Sequence, residues 1–485
     1  MLEYWFTLSP LLLGVYYLAI LAVVVNILLE NKNPLKTHSY LLLLLLLPVF
    51  GLIIYMFFGQ HVRKRRIFNK NQLINSAFGQ KYVTEYLSKE NLTRIRKAIL
   101  SEQFDKLIRF LNKDLSPLSQ NNKITLYKNG EEKFVALKEA LLKAKNHIHI
   151  EYYIFVNDDI GSELSDILRR KAQEGIEVRM IVDGVGSLGL KKAYFRNMQS
   201  AGVEVFEFMP VLFPALTSKI NYRNHRKVVI IDGEVSFTGG INVDDRYINN
   251  GKFPTYWRDT HLKLEGVAVR TLQFLFILNW QFVTKQPWTP TKKHFPDLRA
   301  DIGTSYVQVN ASGPDWDLAS IMDSFYLAIN SARESLKITT PYFIPNESIM
   351  DGIITSAKSG VDVEIMIPHS SDAWIVQAAS MSYMKLLLEA GVKVYFYKKG
   401  FLHSKTLTVD GKLAILGTAN MDYRSFDLNH EVNTYIYDTQ IALELNQNFE
   451  ADKADCTLLN AQRWRDRSFG KKLSESICRL LAPLL

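Results

Sequence analysis

Cysteine is almost absent from this 485-residue sequence. The two cysteines, Cys456 and Cys478, lie near the C-terminus and form no Cys-x-x-Cys pattern. Neither a disulfide scaffold nor a structural zinc site is therefore indicated, which agrees with a reducing compartment. Acidic residues are in the minority, because 58 lysines and arginines against 49 aspartates and glutamates give a formal net charge of +9. This balance predicts an anionic partner, either nucleic acid or an acidic membrane surface.

Charged residues are missing from two long stretches, 8–29 and 40–58. Each stretch is long enough to cross a bilayer as an α-helix. The alternative is a pair of buried core helices, but such helices normally keep a polar stripe. A cleaved signal peptide is not indicated, since only Glu3 carries a charge before the first stretch and no small-residue cleavage site follows it. We predict a membrane anchor of residues 1–60 with two transmembrane helices.

The charges that flank these stretches predict their orientation. The segment HVRKRR, residues 61–66, follows the second stretch, whereas the loop between the two stretches carries only Lys32 and Lys36 as basic residues. Basic residues favour the cytoplasmic side, so both termini are expected in the cytoplasm, with the basic segment near anionic headgroups. Residues 61–119 are interpreted as a connector in which no chemistry is recognisable.

The remaining chain contains an internal repeat. The pattern of each copy predicts a strand, a helix and a second strand, followed by another helix and a short strand. The first copy places the strand–helix–strand unit at 147–155, 162–173 and 176–184, and the second copy places it at 335–345, 349–357 and 361–368. We therefore predict an α/β protein with two halves, residues 120–300 and 301–485.

Each half ends its repeat on a strand that carries histidine and lysine two residues apart. A single such motif would most simply be the polar end of a surface strand. Here it occurs twice, each time with an aspartate seven residues and an asparagine 17 residues after the histidine, which excludes chance agreement. The two sets are His225, Lys227, Asp232 and Asn242 in the first half, and His403, Lys405, Asp410 and Asn420 in the second half.

The pattern H-x-K-x4-D-G followed by asparagine resembles the phospholipase D superfamily. Two apolar stretches followed by two such halves resemble its bacterial cardiolipin synthases. The resemblance implies that each half is a mixed sheet flanked by helices, and that a pseudo-two-fold axis brings both motifs into one active site. It further implies that His225 is the nucleophile and His403 the general acid and base, although the symmetry of the two motifs does not by itself distinguish them.

Phosphodiester chemistry explains these residue types. The lysines and Asn242 and Asn420 can neutralise and hydrogen-bond the phosphoryl oxygens, so neither a metal nor a cofactor is expected. A nucleophilic imidazole also needs an acceptor for its second N–H. Glu431, 28 residues after His403, is similar to the family's orienting carboxylate. In the first half that spacing falls on Phe253, so Asp259 is the candidate there.

Two alternatives remain open for the aspartates. Asp259 could instead form a surface salt bridge with Arg258 or Lys263. Asp232 and Asp410 belong to the family motif and are counted with the catalytic residues, but both stand in an Asp-Gly turn and could equally be structural.

The membrane spans favour a phospholipid over nucleic acid as the substrate. By resemblance, one phosphatidylglycerol donates its phosphatidyl group to a second one, giving cardiolipin and glycerol. The anionic membrane surface is then the partner, and the location is the inner or plasma membrane of a bacterium, with the catalytic halves on the cytoplasmic side. A hydrolytic phospholipase D, a membrane-bound nuclease and a lipid-binding scaffold remain as alternatives, and the oligomeric state is open.

The first half has about 11 extra residues just before its catalytic strand, in the segment 210–223. Two prolines make a regular helix unfavourable there, and the segment is rich in apolar residues. It is interpreted either as a tip that enters the bilayer or as a cover over the joint between the two halves.

Overall fold

The computed structural model describes residues 2–30, 34–46, 50–52, 55, 102–210, 221–314 and 320–482. The described residues up to 55 belong to one compact unit and those from 102 onward belong to a second. The basic segment 61–66, most of the predicted connector and most of the segment 210–223 lie outside the described residues.

The N-terminal unit is a helical hairpin. Its helices are α1 (Leu2–Glu30) and α2 (Pro34–Leu46). Ile27, Leu44 and Tyr55 form a small buried cluster, in which Asn26 Nδ2 donates a hydrogen bond to the Tyr55 hydroxyl at 2.9 Å. In the part of the chain that the structure describes, no helix has both the length and the apolarity that a membrane crossing needs. The second predicted span, 40–58, lies partly outside the described residues, and both spans stay predictions.

The first half of the second unit alternates strands with helices, as the repeat predicted. After the short helix α3 (Asp105–Lys113), its elements are β1 (Ser119–Tyr127), α4 (Gly130–Leu142), β2 (His147–Tyr152), α5 (Asp159–Gln173), β3 (Glu177–Asp183), α6 (Lys192–Ser200), β4 (Glu204–Phe208), β5 (Lys227–Ile231), β6 (Val235–Gly239), β7 (Tyr256–Arg258), β8 (His261–Gly266) and α7 (Val269–Thr284).

The second half repeats this order with some short additions. Its elements are β9 (Ser305–Ser312), α8 (Ser320–Asn330), β10 (Ser335–Thr339), β11 (Phe343–Ile344), α9 (Glu347–Lys358), β12 (Asp362–Pro368), α10 (Trp374–Met381), α11 (Met384–Glu389), β13 (Lys393–Tyr397), β14 (Gly400–Leu402), β15 (Thr406–Val409), β16 (Leu413–Gly417), β17 (Met421–Asp422), α12 (Tyr423–Asp427), β18 (Glu431–Tyr437), α13 (Thr439–Lys453), β19 (Cys456–Leu458), α14 (Ala461–Arg465) and α15 (Phe469–Leu480).

One mixed sheet runs through both halves. Within the described residues it has 15 strands in the order β19-β13-β12-β10-β15-β16-β18-β9-β1-β8-β6-β5-β2-β3-β4. The halves meet where β1 pairs antiparallel with β9, and the order outward from this joint is the same in both directions apart from the extra edge strand β19. The predicted α/β class and the two related halves are confirmed.

Helices cover the sheet, which explains why its central strands are apolar on both faces. All five residues of β5 and of β16 are buried, and each half has its own apolar core. Equivalent helices also begin in the same way: Asp158 caps α5 by accepting the Gly161 N–H, and Asn346 caps α9 by accepting the Ile349 N–H. The repeat is thus visible in capping as well as in strand order.

Candidate active site

The two histidines lie at the start of equivalent strands and line one cleft. The sequence analysis placed His225 on a strand, but β5 begins only at Lys227, and His225 precedes it as His403 precedes β15. Both histidines line a cavity of about 350 Å³ between the halves, together with aromatic and polar side chains from both. The prediction that both motifs share a single site agrees with this placement.

Each histidine is held by the opposite half of the protein. The Nδ1 atom of His225 lies 2.9 Å from the carboxylate of Glu431, and Nδ1 of His403 lies 2.7 Å from Oδ2 of Asp259. Backbone hydrogen bonds also connect each histidine to the opposite half: the His225 N–H donates to the His430 carbonyl, and the His403 N–H donates to the Arg258 carbonyl. Glu431 and Asp259 are thus the orienting carboxylates, and each one holds the histidine of the opposite half.

Asp259 and Glu431 are equivalent residues even though their spacings from the preceding histidine differ. Gly239 of β6 is opposite His261 of β8, and Gly417 of β16 is opposite Asn433 of β18. Asp259 precedes the paired residue His261 by two positions, and Glu431 precedes Asn433 by two positions. The longer spacing in the first half thus arises in the chain before β8, and sheet register identifies the pair where counting along the sequence could not.

The surface salt bridge considered for Asp259 does not form. Asp259 is completely buried, whereas Arg258 pairs with Asp452 and Lys263 pairs with Glu265. The Asp259 carboxylate accepts a hydrogen bond from the Thr260 N–H at 2.7 Å in addition to its contact with His403.

The two carboxylates differ in electrostatic surroundings. Burial raises the pKa of Asp259 to about 6, although the charge of Lys405 opposes this. Burial also acts to raise the pKa of Glu431, but His225, Lys227 and the Thr418 hydroxyl outweigh it and hold that pKa below its ordinary value. Glu431 is therefore ionised at neutral pH, and Asp259 takes up a proton more readily.

Burial keeps both imidazoles neutral at pH 7. Burial lowers the pKa of His225 to about 4, against the opposing charge of Glu431. Burial and the nearby Lys405 also lower the pKa of His403 well below its ordinary value. Because Glu431 accepts the Nδ1–H of His225, the neutral ring presents an unprotonated Nε2, which is the form a nucleophile requires.

The two lysines are buried beside their histidines. Lys227 Nζ donates to the backbone carbonyl of His225 at 2.7 Å, and Lys405 Nζ donates to that of His403 at 2.5 Å. Burial lowers the pKa of Lys227 to about 7 and that of Lys405 to about 8, although Glu431 and Asp259 oppose the shift. An arriving phosphate anion would favour the charged form of both lysines.

The two asparagines also line the cleft, as predicted. Asn242 Nδ2 donates to the Tyr247 hydroxyl at 2.9 Å, and that hydroxyl lies 3.4 Å from His403 Nδ1. The buried Oδ1 of Asn420 has no hydrogen-bond partner in the described part of the chain. Both side chains can therefore contribute to binding within the cavity.

Asp232 and Asp410 lie away from the cleft, at the far ends of the catalytic strands. Each is in a left-handed turn conformation, with φ of 55° and 52°, and each is followed by a glycine of positive φ, as a type I′ hairpin turn requires. The Asp232 carboxylate accepts three backbone N–H bonds at the start of β2, and Asp410 does the same before β10. Counting them with the catalytic residues does not fit this position, whereas the structural alternative does.

Three arginines line the cleft, and none of them was among the predicted site residues; Arg223 pairs with the buried Asp183. Arg246 and Arg424 both line the cavity, and each stands four residues after the motif asparagine. The repeat therefore extends to N-x-D-x-R in both halves, with Asp244 and Asp422 between asparagine and arginine. Aligning the halves beyond the asparagines would have found this signal.

A cluster outside the cleft has metal-ligand residue types. Ligand atoms of His149, Glu177 and His294 lie within 4.8 Å of one another. The Thr291 N–H donates to Nδ1 of His294, which leaves the ring proton on Nε2, facing Glu177 at 3.1 Å. Lys293 also pairs with Glu177 at 2.6 Å. These contacts fit an ion-pair network better than a cation site.

Comparison with known proteins agrees with the site. The family model "Cardiolipin synthase, PLD-like domain" matches residues 137–252 and 326–453, and the model "Phospholipase_D-nuclease N-terminal" matches residues 18–60. Cardiolipin synthase 2 of Bacillus anthracis is 42% identical over 95% of this chain and 88% of its own length. Cardiolipin synthase of Halalkalibacterium halodurans is also 42% identical, over 95% of this chain and 91% of its own length.

A solved structure supports the fold alone. The phosphatidylserine synthase of Haemophilus influenzae superposes with a TM-score of 0.56 at 16% identity, covering 74% of this chain and 93% of that one. With two matched halves that meet in one histidine-lined cleft and near-full-length relatives, the chain belongs to the cardiolipin synthase family of phospholipase D-like enzymes.

Proposed function

We propose that this enzyme joins two phosphatidylglycerol molecules into cardiolipin and glycerol through a phosphohistidine on His225. The observation that carries the proposal is the pair of neutral histidines in one cleft, each oriented by a buried carboxylate. Two such histidines suit a double displacement, in which one forms a covalent intermediate while the other transfers protons.

In the first step, Nε2 of His225 attacks phosphorus of the donor. The bond from phosphorus to the headgroup glycerol breaks, and the glycerol oxygen leaves with a proton from His403. That proton is taken up as the anionic donor binds, because negative charge in the cleft favours protonation of the His403–Asp259 pair. Lys227 and Lys405 then stabilise the charge on the phosphoryl oxygens.

In the second step, His403 takes the proton from a glycerol hydroxyl of the second phosphatidylglycerol. The freed oxygen attacks phosphorus, the phosphorus–nitrogen bond to His225 breaks, and cardiolipin forms. The exchange replaces one phosphodiester with another, so no nucleotide is consumed. His403 returns to its protonated form and the cycle is balanced.

The difference between the two carboxylates supports this division of roles. Glu431 stays ionised and fixes the Nδ1–H of His225, which keeps Nε2 ready for attack. Asp259 has a pKa of about 6, so the His403–Asp259 pair can gain and lose a proton near neutral pH. A nucleophile needs the first environment and a general acid needs the second.

The arginines of the cleft favour an anionic acceptor over water. A hydrolase needs charge only at the reacting phosphate, whereas transfer to phosphatidylglycerol brings a second phosphate into the cleft. Arg246 and Arg424 place two cations in the cavity wall, and Lys227 and Lys405 are buried beside the histidines. Phosphatidyl transfer gives these arginines a role at the second phosphate, which hydrolysis would not require.

We further propose that residues 8–29 and 40–58 cross a bacterial inner or plasma membrane and that the catalytic halves lie in the cytoplasm. The apolar runs and the basic segment 61–66 support this arrangement. An alkaline phosphatase fused to the C-terminus should then be inactive in cells and a fluorescent protein fused there should be bright. An active phosphatase fusion would reverse the topology.

The intermediate can be tested with a radiolabelled donor that has a p-nitrophenol leaving group. This leaving group needs no protonation, so His403→Ala should still acquire label on the protein, whereas His225→Ala should acquire none. Both variants should lose cardiolipin formation from phosphatidylglycerol by at least about 10⁴-fold. Labelling that survives in His225→Ala would refute the assigned nucleophile.

Product analysis separates the remaining alternatives. In mixed micelles of phosphatidylglycerol, transfer yields cardiolipin and glycerol in equal amounts, whereas hydrolysis yields phosphatidic acid. Release of nucleotides from added single-stranded DNA would indicate a nuclease, and no product at all would indicate a lipid-binding scaffold.

A further inference from the structure

Helix α15 exposes the face that a surface helix normally buries. Phe469, Leu473, Ile477 and Leu480 recur at helical spacing and are 79%, 47%, 54% and 77% exposed. The opposite face is the buried one, and it includes an acidic side chain. An amphipathic surface helix usually turns its apolar stripe toward the core, so this orientation is reversed.

Packing holds the helix in this orientation. On its buried face Glu475 pairs with Arg467 at 2.6 Å, and Cys478 and Ala482 belong to the apolar core of the second half. Rotating the helix to bury its apolar face would expose this core contact and break the ion pair. The apolar face of α15, namely Phe469, Leu473, Ile477 and Leu480, is therefore presented outward by the fold itself.

The apolar face of α15 is close to the mouth of the catalytic cleft. Helix α10 packs against α15, and its Trp374 is 73% exposed. The neighbouring residues Asp372, Ala373 and Val376 line the cleft. A surface that contacts α15 and Trp374 would consequently lie beside the entrance through which a substrate reaches His225.

We infer that the apolar face of α15, with Trp374, docks on the headgroup region of an anionic lipid bilayer. The inference rests on the proposed function, which requires a lipid donor to enter this cleft. Lys472 and Arg479 are exposed on one side of the apolar stripe, and their charge complements anionic headgroups. Tryptophan with lysine and arginine beside an apolar stripe is the composition of a helix that lies in the membrane interface.

A second copy of the chain is a poorer occupant. A 12-residue helix is about 18 Å long, and with a stripe about 10 Å wide it offers roughly 200 Å². A stable protein interface needs about 800 Å² on each partner. Pairing two copies of this helix would also bring its basic residues together, whereas a fluid bilayer can accommodate a narrow apolar stripe.

The test measures the depth of α15 in the full-length protein reconstituted into phosphatidylglycerol-containing nanodiscs. An environment-sensitive fluorophore is attached through Leu473→Cys in a Cys456→Ser background, and through Leu142→Cys on α4 as a control of similar exposure. We expect a blue shift and strong quenching by brominated lipid for the probe on α15 only. Equal quenching at both positions would overturn the inference.

Other occupants give other results. A blue shift without bromolipid quenching would assign the face to another part of this chain, and a shift lost on dilution would assign it to a second copy. Either result refutes bilayer docking.

A kinetic arm uses the variant Phe469→Ser/Leu473→Ser/Ile477→Ser. It should lower cardiolipin formation in vesicles about tenfold, with an unchanged melting temperature and unchanged activity on soluble short-chain phosphatidylglycerol. The exposed pair Val135→Ser/Leu142→Ser should change neither activity. If the unmodified enzyme makes no cardiolipin from either donor, the proposed function fails, while the depth measurement still decides the docking of α15.

Discussion

The two halves of the catalytic unit share a strand order and a motif, yet they surround their histidines differently. Glu431 of the second half remains ionised beside His225, while Asp259 of the first half has a raised pKa beside His403. Both contacts cross from one half to the other. Duplication thus provides two similar strands, and the exchange of carboxylates makes each half incomplete without its partner.

The halves also differ on the strands behind the site. In the first half, His149 of β2 and Arg179 of β3 both contact Glu177, whereas in the second half Lys337 of β10 contacts Glu364 of β12. The strand position of Arg179 in the first half thus carries the acidic Glu364 in the second half, but both halves keep a buried or half-buried network of charged side chains. The similarity of the halves is therefore strongest where side chains face the cleft.

Substituting the two orienting carboxylates should have the largest effect on activity. Glu431→Gln and Asp259→Asn should each lower kcat by roughly 10³-fold, because a histidine that loses its acceptor also loses its orientation and tautomer. With the p-nitrophenyl donor, Glu431→Gln should slow labelling of the protein, and Asp259→Asn should leave labelling intact but block transfer to the acceptor. The reverse pattern would mean that each carboxylate serves its own half.

The two lysines should make kcat/KM depend on pH more strongly than kcat. Their lowered pKa values of about 7 and 8 mean that the free enzyme loses cleft charge as the pH rises. We expect kcat/KM to fall above pH 7, approaching tenfold per unit and then steepening above pH 8, while kcat falls only at higher pH because bound phosphate raises both pKa values. A kcat/KM that stays flat from pH 6 to 9 would contradict these lysine environments.

The same lysines have the opposite effect on stability. Their folded-state pKa values lie below that of an unfolded lysine, so between about pH 7 and 10.5 the unfolded chain binds more protons than the folded one. Their contribution to the free energy of unfolding therefore rises with pH through this window. Urea unfolding of Lys227→Met, compared with the unmodified protein at pH 7 and 9, measures this contribution.

The smallest effect on activity is expected at the turn aspartates. Asp232→Ala and Asp410→Ala each remove three acceptor contacts to backbone N–H groups and should lower the free energy of unfolding by about 2 kcal/mol. Activity at 25 °C should remain within about twofold for the folded variants. A 100-fold loss in kcat without a change in the free energy of unfolding would show that these aspartates take part in catalysis.

Sequence reasoning predicted the repeat and the two motif histidines correctly because periodicity and equal spacing are local properties of the chain. It placed His225 inside the strand because alternation alone does not show where ladder hydrogen bonds begin. It overlooked Arg246 and Arg424, although the repeat contains them, because the alignment of the halves stopped at the asparagines.

The sequence by itself determined the α/β class, the two halves, the histidines and asparagines that line the cleft, and the lysines buried beside the histidines. Only the tertiary structure decided which carboxylate holds which histidine, because that pairing depends on how β1 and β9 join the sheet and on register between strands far apart in the chain. It also decided that Asp232 and Asp410 lie away from the chemistry. The strand between histidine and aspartate has five residues in the first half and four in the second, and it places each aspartate at the end away from the cleft, where the carboxylate accepts backbone N–H bonds.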